Sequence, residues 1–164
     1  MFHLSQQAFD NKQALYKHLE CQLKALLQTE RDFITNSANF SSFLFHSLPE
    51  LNWAGVYRLV GTDLLLGPFQ GKPACTRIPV GKGVCGTAAK LRQTVLVPDV
   101  HQFPGHIACD TASNSEIVLP LLVGDALFGV LDLDSPRIGR FDCDDQSGLE
   151  SLRNVFLASV EWNG

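Results

Sequence analysis

Residues 117–134 read IVLPLLVGDALFGVLDLD, and the fold follows from this stretch. Two apolar runs flank Gly124-Asp125, a pair suited to the tight turn of a β-hairpin. Residues 117–123 and 126–134 are therefore expected to be neighbouring antiparallel strands. Side chains alternate along a strand, so Leu127, Gly129, Leu131 and Leu133 fall on one face. Phe128, Val130, Asp132 and Asp134 fall on the other. Two carboxylates at the end of an apolar strand face are unusual, because burying an isolated charge is costly.

Working outward, residues 52–60 read as a strand, Gly61-Thr62-Asp63 as a turn and residues 64–69 as a second strand. On the first of these, Trp53, Gly55, Tyr57 and Leu59 share a face, with Trp53 and Tyr57 framing a space over Gly55. A long loop, 70–83, carries Cys75. Residues 84–92 read as a short helix, and 94–97 as a short strand closed by Pro98. Near the N-terminus, Leu15, Leu19, Leu23, Leu26 and Leu27 recur at helical steps over residues 11–28, and Cys21 is expected to pack within that helix. Thr29 and Asp32 resemble a capping box opening a second helix to about residue 48. Its buried face would hold Phe33, Phe40, Leu44 and Leu48, and Pro49 stops it. A last helix begins with Asp142 as N-cap and Asp144 and Asp145 in its first turn, with Leu149, Leu152, Phe156 and Val160 as its apolar stripe. This order predicts an α+β fold: an antiparallel sheet with the N- and C-terminal helices on one face and loops roofing the other.

Composition narrows the function classes. The 164 residues fit one domain, and 45% apolar with 18% charged residues is ordinary for a globular protein. A net charge of −4 without a basic cluster argues against nucleic acid. No apolar run is long enough for a membrane span, and the first residues lack a secretory signal pattern. Five unevenly spaced cysteines do not resemble a disulfide framework, so a reducing cytoplasm is the expected compartment.

Three of those cysteines fall in loop-like sequence: Cys75, Cys85 within GKGVCGTA, and Cys109 within GHIACDTASNSEIVLP. Loops can hold a reactive group both exposed and in place. Cys85 opens the short helix, where a helix N-terminus favours the thiolate, and on local chemistry it is the preferred nucleophile; packing between Gly83 and Gly86 explains it equally well. Cys109 has His106 as a potential partner but Asp110 beside it, and Cys75 has Arg77 nearby. Local chemistry does not rank the three. A zinc site from His101, His106, Cys109 and Cys85 would have suitable ligands, but the paired spacing usual for such sites is absent, so no metal is expected. If the two strand faces meet, an aromatic wall opposes Glu116, Asp132 and Asp134. Such a surface suits a small ligand with an ammonium group and a polarisable apolar part, although strand-end aspartates are most often solvated and a tryptophan is most often core.

The blocks NWAGVYRL, GKGVCGTA, DVHQFPGHIACDTASNSEIVLPL and FGVLDLDSP closely resemble the free methionine-(R)-sulfoxide reductases, a family built on the GAF domain. The resemblance spans about residues 53–141 and includes all three loop cysteines. It implies a single GAF domain over residues 1–164, with terminal helices at about 11–48 and 142–161 and the sheet and catalytic loops at about 52–134. It further implies Cys109 as nucleophile, overruling the local preference for Cys85. Cys75 would be its disulfide partner, and Cys85 a secondary resolving cysteine. Glu116, Asp132 and Asp134 would be substrate-site acids, with Trp53 and Tyr57 as the aromatic wall. Glu116 and Asp134 are then the candidates for activating the sulfoxide oxygen, and Asp132 for holding the substrate ammonium. No cofactor is implied. The expected partners are free methionine-(R)-sulfoxide and thioredoxin, and the helical face could bury a homodimer interface. The alternative is a non-catalytic GAF module sensing a small molecule or redox state with the same cysteines. A cyclic-nucleotide sensor would need phosphate-binding groups where this chain has acids.

Overall fold

A computed structural model describes residues 9–107 and 110–162; Cys109 lies outside the described residues. Helix α1 (Lys12–Leu27) starts where the Asn11 side chain accepts a hydrogen bond from the Ala14 amide, and it buries Tyr16, Leu19, Leu23 and Leu27. Cys21 is exposed: the stripe 16, 19, 23, 27 turns position 21 to the opposite side of the helix. Helix α2 (Phe33–Ser47) is capped by Asp32, whose carboxylate accepts from the Thr35 amide at 2.8 Å. The expected cap on Thr29 therefore gives way to one three residues later. Glu30 folds over the preceding turn instead, accepting from the amides of Arg31 and Asp32.

Six strands form one fully antiparallel sheet: β1 (Trp53–Val60), β2 (Asp63–Gly71), β3 (Arg77–Pro79), β4 (Val95–Val97), β5 (Ser115–Val123) and β6 (Ala126–Ser135). Their order is β3-β2-β1-β6-β5-β4. The expected long loop after β2 thus contains a short edge strand, β3, paired with residues 63–65. Helix α3 (Gly83–Leu91) and a 3₁₀ turn (Val100–Gln102) precede β5, and α4 (Cys143–Ser159) follows β6.

The sheet separates two apolar clusters. On one face, α1, α2 and α4 enclose Phe40, Leu44, Leu149, Leu152 and Phe156 with Ile117, Leu119, Leu131 and Leu133 from the strands. On the other, α3 and the flanking loops enclose Trp53, Tyr57, Cys85, Val118 and Val130. The predicted alternation holds for residues 130–134 and fails before them. Leu121 faces Gly129 while Leu122 faces Leu127, so Phe128 is an extra residue in β6. Gly129, at φ 159°, sits with its α-carbon so close to the Tyr57 carbonyl that a β-carbon would lie 2.0 Å from it. This bulge sends Leu127 to the loop-side cluster and Phe128 to the helical side, with its ring 4.5 Å from that of Trp162.

The start of α4 is a reciprocal capping box between Asp142 and Asp145. Asp145 does more than complement the helix dipole. Buried, it accepts from Tyr16 Oη at 2.9 Å, Lys12 Nζ at 2.5 Å and Arg140 Nη1 at 3.1 Å, and so fastens α1 to α4. Among the described residues no helix is long and apolar enough to cross a membrane.

Candidate active site

Register brings the acids together. Glu116 on β5 pairs directly with Asp134 on β6, and Asp132 lies between Val118 and Gly55 on the neighbouring strands. All three side chains point to the loop-side face and line one cavity with Tyr57, Cys85 and His106. Its volume is about 30 Å³, room for about one or two waters; pockets that take small molecules run to roughly 300 Å³ or more.

Two of these acids are buried where ordinary strand-end carboxylates would be solvated, Glu116 and Asp132 each being 6% exposed, and Asp134 is half-buried. Burial pushes all three carboxyls well above their usual range. The charge of Asp134 raises Glu116 further, that of Glu116 raises Asp132, and those of Asp132 and Asp110 raise Asp134. Crowded carboxyls of this kind retain protons that isolated ones would lose. Asp110, at the mouth, is of the opposite type. Its carboxylate accepts from the Ala112 amide at 2.9 Å, from Asn52 Nδ2 at 3.2 Å and from Lys72 Nζ at 3.4 Å, and its pKa is lowered, first of all by that backbone hydrogen bond. His106 Nε2 stands 3.6 Å from Glu116 Oε2. Burial lowers the imidazole pKa, so the contact favours a neutral imidazole facing a protonated carboxyl.

Cys85 occupies the first turn of α3, as expected, but the helix N-terminus does not decide its chemistry. The thiol is 4% exposed, with Sγ 3.9 Å from Glu116 Oε1. Burial, followed by the charges of Asp132 and Glu116, pushes the thiol well above its usual range. Burial and these charges oppose the thiolate that the helix N-terminus would favour. A thiolate there would face the Glu116 carboxyl at 3.9 Å.

The aromatic pair is arranged differently from the expected wall. Trp53 folds over Gly55, filling the predicted space: a β-carbon at position 55 would lie 2.5 Å from the indole Cη2. The indole is sandwiched between Tyr57, 5.8 Å between ring centres, and Phe69, 5.3 Å. Tyr57 borders the cavity and Trp53 backs it. Both spend their polar ends on the segment carrying Cys75. Trp53 Nε1 donates to the Lys72 carbonyl at 3.2 Å and Tyr57 Oη to the Cys75 carbonyl at 3.1 Å. Cys75 is disulfide-bonded.

Of the zinc set weighed above, Cys109 lies outside the described residues, and among the described residues the remaining members are not the group that clusters. His101 Nε2 is 2.9 Å from Asn114 Oδ1, and the thiol and carboxyl atoms that cluster are those of Cys85, Glu116 and Asp132. Asn52 and Lys72 are residues at the site to which sequence reasoning assigns no role there. Asn52 Nδ2 bridges Asp110 and Ser113 Oγ, the latter at 3.0 Å, while Lys72 ties the Cys75 segment to Asp110. Neither carries a sequence signal, whereas Asp110 bonding the amide two residues on is an Asx-turn that its loop position could have suggested.

Comparison with known proteins agrees with this architecture. Residues 18–156 match the GAF domain family model. The chain is 53% identical over 142 residues to the free methionine-R-sulfoxide reductase of Escherichia coli (strain K12), covering 87% of this chain and 86% of the relative. It is 41% identical over 157 residues to that of Saccharomyces cerevisiae, covering 91% and 87% respectively. The X-ray structure of the Neisseria meningitidis free methionine-R-sulfoxide reductase in complex with its substrate superposes with a TM-score of 0.92 at 39% identity, over 97% of this chain and 95% of that one.

Proposed function

The chain belongs to the GAF-domain family of free methionine-(R)-sulfoxide reductases, and from that premise we propose that it reduces free methionine-(R)-sulfoxide to methionine. The observation that carries this reading is the convergence of Glu116, Asp132 and Asp134 on one buried cavity, with pKa values raised.

A sulfoxide sulfur is a poor electrophile until its oxygen is protonated or strongly hydrogen-bonded. Glu116 or Asp134, kept neutral by burial, donates that proton near neutral pH. Cys109 attacks the sulfur, and from that adduct the oxygen passes to Cys109 Sγ as the substrate's sulfur–oxygen bond and the transient bond between the two sulfurs break, releasing methionine and leaving Cys109 as a sulfenic acid. The Cys75 thiol then displaces that oxygen as water, forming a disulfide. Thioredoxin returns both thiols by exchange, supplying the two electrons of the net reaction. Asp132 holds the substrate ammonium, while Tyr57, backed by Trp53, bounds the apolar part of the substrate. Cys85, shielded and neutral, fits a secondary resolving thiol better than a nucleophile.

The disulfide at Cys75 and the cavity of about 30 Å³ suit the state after turnover, when substrate must wait for thioredoxin. The enzyme would act in the cytoplasm as a single GAF domain, with the α1–α4 face available for a homodimer. A burst experiment tests the cysteine roles. Cys109→Ser should release no methionine, whereas Cys75→Ser should release one equivalent and lose most thioredoxin-supported turnover. A full burst from Cys109→Ser would return the nucleophile's role to another cysteine.

A further inference from the structure

We propose that Cys85 Sγ, Glu116 and Asp132 form a binding site for one thiophilic divalent cation, of the Zn²⁺ type, that occupies the cavity in place of substrate. Their ligand atoms all lie within 4.8 Å of one another, and all three residues are buried. Zinc bonds of about 2.3 Å to sulfur and about 2.0–2.2 Å to oxygen, near the tetrahedral angle, put sulfur and oxygen roughly 3.5 Å apart. The observed separation of Cys85 Sγ from Glu116 Oε1, 3.9 Å, needs only slight closure.

A second observation points independently to a ligand. Asp132 Oδ1 is buried without a hydrogen-bond partner, in a residue only 6% exposed that lines the cavity. An unpaired oxygen in such a place is costly, and a cation would satisfy it. The lining suits a cation once its carboxyls ionise: Asp110, Glu116, Asp132 and Asp134 line the cavity, and among its described residues there is no lysine or arginine. Glu116 Oε2 faces His106 Nε2 at 3.6 Å, so an outer group is in place to orient a ligating carboxylate. On binding, Cys85, Glu116 and Asp132 give their protons to solvent and ligate as thiolate and carboxylates. Three protein ligands leave a fourth position for water, and the cavity has room for the ion with that water. The soft sulfur excludes Mg²⁺ and Ca²⁺, which prefer all-oxygen sites.

The consequence for catalysis rests on the reductase reading; the binding itself does not. The test uses oxidised, metal-stripped protein carrying Cys21→Ser and Cys143→Ser, which remove the two exposed thiols. Titration with Co²⁺ should develop a thiolate-to-cobalt charge-transfer band saturating at one equivalent, displaced by Zn²⁺. Adding Cys85→Ser should abolish the band. Asp132→Asn should keep it but weaken Co²⁺ affinity by at least ~10-fold, the lower end of what even outer-shell changes cost. No band in the parent, an undiminished band with Cys85→Ser, or unchanged affinity with Asp132→Asn would each overturn the proposal. Should Cys85→Ser fail to fold by circular dichroism, the Asp132→Asn titration decides. Zn²⁺ should also inhibit methionine formation competitively with the sulfoxide. A metal-free protein that forms no methionine would count against the reductase reading and leave the cobalt result standing.

Discussion

At the scale of single residues, what matters is which environment wins at each titratable group. Cys85 shows this most plainly: the helix N-terminus that should favour its thiolate is outweighed by burial and by two carboxyls. That outcome was illegible in the sequence because the opposing groups, Glu116 and Asp132, lie on strands 31 and more positions away. The acids themselves were legible, since period-two alternation placed Asp132 and Asp134 on one face. Proton donation matters only as the sulfur–oxygen bond breaks, and general acid catalysis is worth ~10²- to 10⁴-fold. Glu116→Gln and Asp134→Asn should lower the single-turnover rate by about that range. Asp132→Asn should mainly raise the substrate concentration required, because an ammonium contact serves ground and transition states alike. A donor with a raised pKa is active below that value, so the wild-type rate should fall as pH rises through it, and Glu116→Gln should flatten that limb. Stability follows the same sign. In the unfolded chain Asp132 ionises near 3.8, while in the folded protein it holds its proton to higher pH. Stability from this group is thus complete below about pH 3.8 and is lost as pH rises toward the raised native value. The melting temperature of Asp132→Asn relative to wild type should therefore improve from pH 5 to pH 8; a pH-independent difference would mean that the carboxyl is not held neutral.

At the scale of elements, the segment after β2 is held at several points. Trp53 and Tyr57 pin its backbone by two hydrogen bonds, and Lys72 ties it to Asp110. Exposed ion pairs contribute little, about 0–1 kcal/mol, which leaves the two hydrogen bonds and the Cys75 disulfide to hold the segment. Reducing the protein should accordingly increase amide hydrogen exchange over residues 72–76 while leaving β1 and β6 unchanged. Equal exchange in both redox states would mean that the segment is held by the aromatic pair alone. Elements with strong local signals were read close to their observed limits, including the 117–134 hairpin, the Asp142 cap and the leucine-rich α1. What escaped depended on partners distant in sequence. The edge strand β3 exists only through pairing with β2. The bulge at Phe128 follows from the close approach of Gly129 to Tyr57, and the stacking of Trp53 on Phe69 filled a space that alternation alone left open.

At the scale of the whole molecule, the sheet divides labour. The helical face holds the larger apolar cluster and the buried Asp145 network, and the loop face holds the clustered acids with Cys75 and Cys85. This division was visible in the sequence as terminal amphipathic helices bracketing a loop-rich, cysteine-bearing middle. The substrate was not, since composition and spacing name an acidic pocket with an aromatic side and no more; the family blocks and the relatives supply the rest. The most direct test of the central claim is methionine release, per mole of protein, from free methionine-(R)-sulfoxide and from the S epimer, with thioredoxin, thioredoxin reductase and NADPH. Many equivalents of methionine from the R epimer, with little or none from the S epimer, is the predicted result. At most one equivalent from the R epimer, or equal turnover of both epimers, would contradict it.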